Sequence, residues 1–266
     1  MVNNSGPVEG IVAGYTGNSF TVQAVLATLL ASAVYNALEL IIIIFFMFHH
    51  YFNLYFWSLM VTAAFGVIPQ SVGLFLKYFE LATISIPVTL STVGWCIMAT
   101  GHSLVLYSRL HFVLFNKLAL RLILFLIIVD AVIFQVPQIV VSYGSIYAEH
   151  TAFPTVFNTW ESVQITGFFV QEFIISSVFI VQTLKILQLH PERNERKANI
   201  MYQLLLLNVV IIRMDISILV LQYTTRYMVQ TVLKTFFYAL KLKLEIGVLS
   251  RLVSLVSPHN ENSMSI

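Results

Sequence analysis

The chain is 266 residues long, 58% hydrophobic and 10% charged, with a formal net charge of +2. Soluble domains carry about 25% charged residues, so these charges cannot build a water-facing surface and lipid must cover much of the molecule. Cys96 is the single cysteine, which excludes an intramolecular disulfide and leaves no thiolate cluster for zinc.

Residues 1–20 carry no Lys or Arg and read as an extracellular segment. They lack the positive n-region of a cleavable leader, so the first apolar run is expected to serve as an uncleaved anchor. Asn3-Asn4-Ser5 is a glycosylation sequon on that side. Seven apolar runs follow: Thr21–Phe48, Leu54–Lys77, Leu81–Tyr107, Leu118–Tyr143, Ser162–Leu187, Ile200–Tyr223 and Met228–Val248. Each is long enough to cross a hydrocarbon core of about 30 Å at about 1.5 Å per helical residue. The expected fold is therefore all-α and polytopic, with a seven-helix transmembrane domain over residues 21–248. The 144–161 connection, with Glu149, Pro154, Trp160 and Glu161, reads as a polar cap over an outer opening. Residues 190–199 alternate in charge and read as solvated helix ends that fix topology. An amphipathic helix on the inner leaflet is expected over 249–257, followed by a disordered tail over 258–266.

Basic residues orient the serpentine. Arg109, Lys117, Arg121, Lys185, Arg193, Arg196, Lys197 and Arg251 fall on one side, against Lys77 and Arg226 on the other. The positive-inside rule then places the N-terminus outside and the C-terminus in the cytosol. Nothing in the short tail reads as an organelle address, so the plasma membrane is the default location.

Charges within apolar runs cost about 2.5–3.5 kcal/mol each on insertion scales, which makes each one a candidate for function or for pairing. They are Glu39, Asp130, Glu172, Arg213, Asp215, Lys234, Lys241, Lys243 and Glu245. Matching depths along antiparallel helices suggest Asp215 with Lys234, Arg213 with Glu172 or Asp130, and Glu39 with Lys241. At 100° per residue Lys234, Tyr238, Lys241 and Glu245 form one polar stripe that should face the bundle interior, while Lys243 points elsewhere and snorkels. Two Pro-Gln pairs, Pro69-Gln70 and Pro137-Gln138, lie in the outer third of spans two and four. Proline frees a backbone carbonyl and Gln can satisfy it or face a cavity, so the pairs suggest an outward-facing vestibule. His49, His50, His102 and His111 show no ligand spacing, and no nucleophile–base set accompanies them. No catalysis, cofactor or metal is expected.

Pro-Gln pairs in seven spans resemble those of the PQ-loop transporters, although there the pairs occupy spans one and five. A span-seven lysine, Lys234 or Lys241, is similar to the retinal lysine of microbial rhodopsins, but span three holds no counter-ion carboxylate. Tyr107-Ser108-Arg109 sits where rhodopsin-like receptors carry their span-three arginine motif, without its acid. The runs NALELIII, GHSLVLYSRLHFV (Gly101 to Val113), the VPQ pair with Asp130 before it, and YALKLKLEIGVLSRLV (Tyr238 to Val253) resemble, over Asn36 to Val256, a family of uncharacterised seven-span membrane proteins of filamentous fungi. That resemblance implies a receptor-like architecture. The expected function is a sensor of a small unknown ligand held in an outward-facing cavity, with a cytosolic signalling partner at the inner loops and no nucleic-acid partner. The alternative is a proton-coupled carrier of a small solute that uses the buried charges.

Overall fold

The computed structural model describes residues 20–47, 54–111, 113–114, 116–147, 153–189, 195–224 and 227–256. Among these residues the fold is helical throughout, without a strand. The helices are α1 (Phe20–Met47), α2 (Leu54–Val61), a π-helical segment (Thr62–Val67), α3 (Ile68–Tyr78), α4 (Ser85–Leu110), α5 (Lys117–Tyr147), α6 (Phe153–Leu189), α7 (Glu195–Thr224) and α8 (Tyr227–Val256). The segments from Leu54 to Tyr78 make one continuous rod, so the described chain forms seven rods.

Six rods are long and apolar enough to cross a membrane, and the chain is a multi-pass membrane protein. The exception is α8, expected as the seventh span, whose run of Lys234, Lys241, Lys243 and Glu245 lowers its apolar character. Large hydrophobic side chains such as Phe46, Leu122, Phe125 and Leu206 are exposed around the outside, an inside-out arrangement that only lipid satisfies.

Neighbouring rods pack in chain order, and the ring closes where α8 lies against α1 and α7. Inside it, α4 touches the second rod, α5, α6 and α8. One apolar cluster joins α1, the second rod, α4 and α8 through Ala33, Leu40, Leu59, Met98 and Leu242. Another joins α4, α5 and α6 through Leu106, Leu110, Ile127, Ile175 and Phe179.

The second rod and α4 approach closely because each presents glycine to the other. A methyl on Gly94 would lie 2.5 Å from the Gln70 nitrogen, and one on Gly73 would lie 2.6 Å from that of Ser91. Backbones this close suit helix association in lipid, where small residues replace the hydrophobic drive. The π-helical segment ends two residues before Pro69, whose ring would crowd the carbonyl four residues back in a regular helix. Helix α3 ends with Glu80 at φ 53° and Leu81 donating from its backbone N–H to the Leu76 carbonyl at 3.1 Å, the six-to-one bond of a Schellman stop.

Two sequence expectations change here. The described residues of the 144–161 connection are helical, since α5 runs through Tyr147 and α6 begins at Phe153; a polar residue such as Glu161 sits on a helix face rather than in a cap. The segment 249–256 is continuous with α8 rather than a separate helix. Residues 1–19 with Asn3, the 190–194 connection, Arg226 and the 257–266 tail lie outside the described residues.

Candidate functional site

Helix α8 carries the polar stripe, and the structure buries all of it. Lys234 is 1% exposed, Tyr238 4%, and Lys241 and Glu245 0%. The stripe faces α4, α6 and α7, each of which contributes a charged partner. The connections α3–α4, α5–α6 and α7–α8 share one end of the bundle, which we call the upper end.

Nearest that end, the Lys234 ammonium donates to Glu161 Oε1 at 2.6 Å and to Gln222 Oε1 at 3.0 Å. It also lies 5.5 Å from the Trp95 ring, within cation–π range. Two turns deeper, the Lys241 ammonium donates to Glu172 Oε2 at 2.5 Å and to Asp215 Oδ1 at 2.6 Å. Deeper still, Arg109 donates to Glu245 Oε2 at 3.0 Å and to Asn208 Oδ1 at 2.5 Å. Its guanidinium stacks 4.4 Å from the Phe179 ring, and the Tyr55 hydroxyl donates to the Glu245 backbone carbonyl at 2.9 Å. On the opposite flank, Lys243 meets Glu39 at 2.7 Å in a half-exposed pair. Among the described residues, five ion pairs through four α8 side chains thus fasten α8 to α1, α4, α6 and α7.

Three expected pairings are replaced. Asp215 joins Lys241 rather than Lys234. Helical side chains lean toward their own N-terminus, so on antiparallel helices Lys241 reaches up as Asp215 leans down, while Lys234 reaches away toward Glu161. Glu39 takes Lys243 rather than Lys241, because α1 packs on the flank about 200° from the stripe. Arg213 is exposed and forms no ion pair with Glu172 or Asp130; two positions from Asp215, it points out of the bundle. Asp130 is half-buried on α5, without an ion-pair partner among the described residues.

Above Lys234 a cavity opens at the upper end, enclosing about 470 Å³ of empty space with its mouth included. It brings together both Pro-Gln glutamines: Gln70 is 3% exposed and Gln138 5%, and both line it beside Lys77, Glu161, Tyr227 and Lys234. Ser91, Thr92, Ser142 and Thr231 add hydroxyls, and Trp95 lines its depth. Beneath, Trp95 meets Tyr238 edge-on at 5.6 Å, and His102 packs 4.8 Å from the same tyrosine. These rings separate the cavity from the Lys241 cluster.

Arg109, Glu161 and Lys77 belong to this constellation although the sequence reading set them in connections or at a helix end. A periodic signal marks the first two. Buried Phe157, Ile165, Phe168, Glu172 and Ile175 recur at helical spacing, and Glu161 falls on the same face. Trp95, Met98, His102 and Leu106 lead to Arg109 in the same way. No group of three or more His, Cys, Asp or Glu able to hold a metal occurs among the described residues.

No curated protein and no solved structure matches the chain. A family model described as Domain of unknown function (DUF7703) matches residues 14–262, and the chain belongs to that family.

Proposed function

We propose that this chain is a seven-span membrane protein, N-terminus outside and C-terminus cytosolic, that senses a small ligand entering the upper cavity. The supporting observation is that Lys234, in the cavity wall, lies on the same helix as Lys241 and Glu245, which fasten α8 to α6, α7 and α4 nearer the other end. A ligand that competes with Glu161 or Gln222 for Lys234 would bias the position of α8, and rearrangement of discrete ion pairs is a means of carrying such a bias through a packed bundle. The basic residues flanking the lower end support the orientation, which makes the upper cavity outward-facing.

A carrier reading has its own support. The buried Lys241 ammonium sits between two carboxylates, Glu172 and Asp215, leaving one more acid than base at mid-bundle, where coupling sites of carriers lie. Thiol accessibility separates the two. In a Cys96→Ala background, single cysteines at Gln138, Ser142 and Tyr238 are probed with an impermeant reagent from each side. The sensor predicts labelling at 138 and 142 from outside only, with 238 closed to both sides. Labelling at 238 from both sides, shifted by solute, would establish alternating access instead.

A further inference from the structure

We propose that the upper cavity binds a small organic monocarboxylate whose other end donates hydrogen bonds, a hydroxy acid in type, with Lys77 taking the carboxylate. This rests on the reading of the cavity as a ligand site and names the ligand's chemistry.

Lys77 carries the assignment. It is 6% exposed, lines the cavity, and has no carboxylate within ion-pair distance among the described residues. Its neighbours are the rings of Tyr78 and Tyr227, with centroids 5.2 and 5.1 Å from the ammonium. Every other buried ammonium or guanidinium described here has an anionic partner: Lys234 has Glu161, Lys241 has Glu172 and Asp215, and Arg109 has Glu245. An uncompensated buried cation is costly, and one inside a membrane bundle marks a site by default. With Lys77 protonated, Lys77 and Lys234 against Glu161 give the cavity one positive charge in excess, which a single carboxylate balances.

Several groups in the rest of the wall can only accept. Ser91, Ser142 and Thr231 donate their hydroxyl hydrogens to the backbone carbonyls of Val88, Gln138 and Tyr227, so their oxygens offer lone pairs only. The side-chain oxygens of Gln70 and Gln138 and Oε2 of Glu161 are buried without a partner. A ligand hydroxyl donates to such groups. A phosphate dianion would bring one negative charge more than the surplus, with Lys234 already committed to Glu161; a zwitterion would leave the surplus positive charge standing.

The test is thermal unfolding of the full-length protein in lipid nanodiscs, with lactate, lactamide, inorganic phosphate and glycine as probes. Lactate should raise the unfolding temperature in proportion to the logarithm of its concentration, and lactamide, identical but uncharged, should not. Lys77→Met should weaken lactate binding about thirtyfold or more, and Lys77→Arg should retain much of it. Equal shifts from lactate and lactamide, a larger shift from phosphate or glycine, or lactate binding untouched by Lys77→Met would each overturn the proposal. The wild-type comparison stands even if Lys77→Met does not fold. A silent panel with reactive thiols at positions 138 and 142 would defeat the ligand class alone; unreactive thiols there would defeat the cavity reading beneath it.

Discussion

Lys241→Met removes the cation shared by two buried carboxylates. In the native bundle its ammonium lies 2.5 Å from Glu172 and 2.6 Å from Asp215, whose side chains are 2% and 6% exposed. Methionine matches the stem in volume, so packing is largely kept and the loss is electrostatic. Breaking a buried pair from one side costs about 3–5 kcal/mol because an uncompensated charge remains. At about 1.4 kcal/mol per decade, the folding equilibrium should fall by about a hundred- to several thousand-fold. Glu172→Gln takes the opposite course: it removes the surplus acid, leaves Lys241 paired with Asp215, and should cost about 1 kcal/mol or less. Adding Glu172→Gln and Asp215→Asn to Lys241→Met should recover most of the loss, since a neutral cluster has no charge to strand. The assay is reversible unfolding in mixed micelles with increasing dodecyl sulfate, followed by fluorescence of the three tryptophans. A Lys241→Met cost below about 1 kcal/mol, or a Glu172→Gln cost equal to it, would refute the reasoning.

Two charge exchanges and three single substitutions probe separate parts of the bundle by the same unfolding assay. Exchanging Glu161 and Lys234 should restore stability that either neutralisation removes, whereas exchanging Asp215 and Lys234 should not; rescue by the second exchange would restore the depth-matched pairing. Arg109→Lys keeps the charge but not the fork that reaches Glu245 and Asn208 together, and should cost about 2 kcal/mol; an unchanged midpoint would show that the fork is idle. Gly94→Ala places a methyl 2.5 Å from the Gln70 nitrogen and should cost about 1–3 kcal/mol while altering thiol labelling at position 138. Arg213→Leu, on an exposed flank, should leave stability within about 0.5 kcal/mol or raise it; a loss above about 2 kcal/mol would place Arg213 in a pairing.

Much of the helical order was legible because hydrocarbon thickness sets a minimum length for a spanning rod and charge is expensive inside it. The inward direction of Lys234, Tyr238, Lys241 and Glu245 was legible too, since angular spacing along one helix depends on nothing else. Pairings between helices were harder to read. Depth counted along backbones omits the lean of side chains toward the helix N-terminus, and that lean moves Lys241 up to Asp215. Glu161 escaped because Pro154, Asn158 and Trp160 gave its neighbourhood the composition of a loop, while Phe157 and Ile165 kept the helical period. Arg109 escaped for the converse reason: a basic residue near a span end reads as a topology marker, and only the buried face running back to Trp95 shows that it turns inward. Lys77 looked like an interfacial lysine by position, and only the surrounding wall reveals that no carboxylate among the described residues lies within ion-pair distance of it.

The ionic ladder on α8 also bears on how the molecule is assembled. Six rods are apolar enough to leave a translocation channel for lipid on their own account, whereas α8, the proposed seventh span, is not. Its charges enter the bilayer most cheaply when Glu161, Glu172, Asp215 and Arg109 are already there to meet them, and the chain order delivers all four before α8 is made. Until then those four side chains are themselves stranded. The half-made bundle therefore exposes the kind of intramembrane charge that membrane quality control recognises, and docking of α8 is the step that hides it. A nascent chain stalled before Tyr227 should be short-lived, and supplying α8 as a separate peptide should lengthen its life.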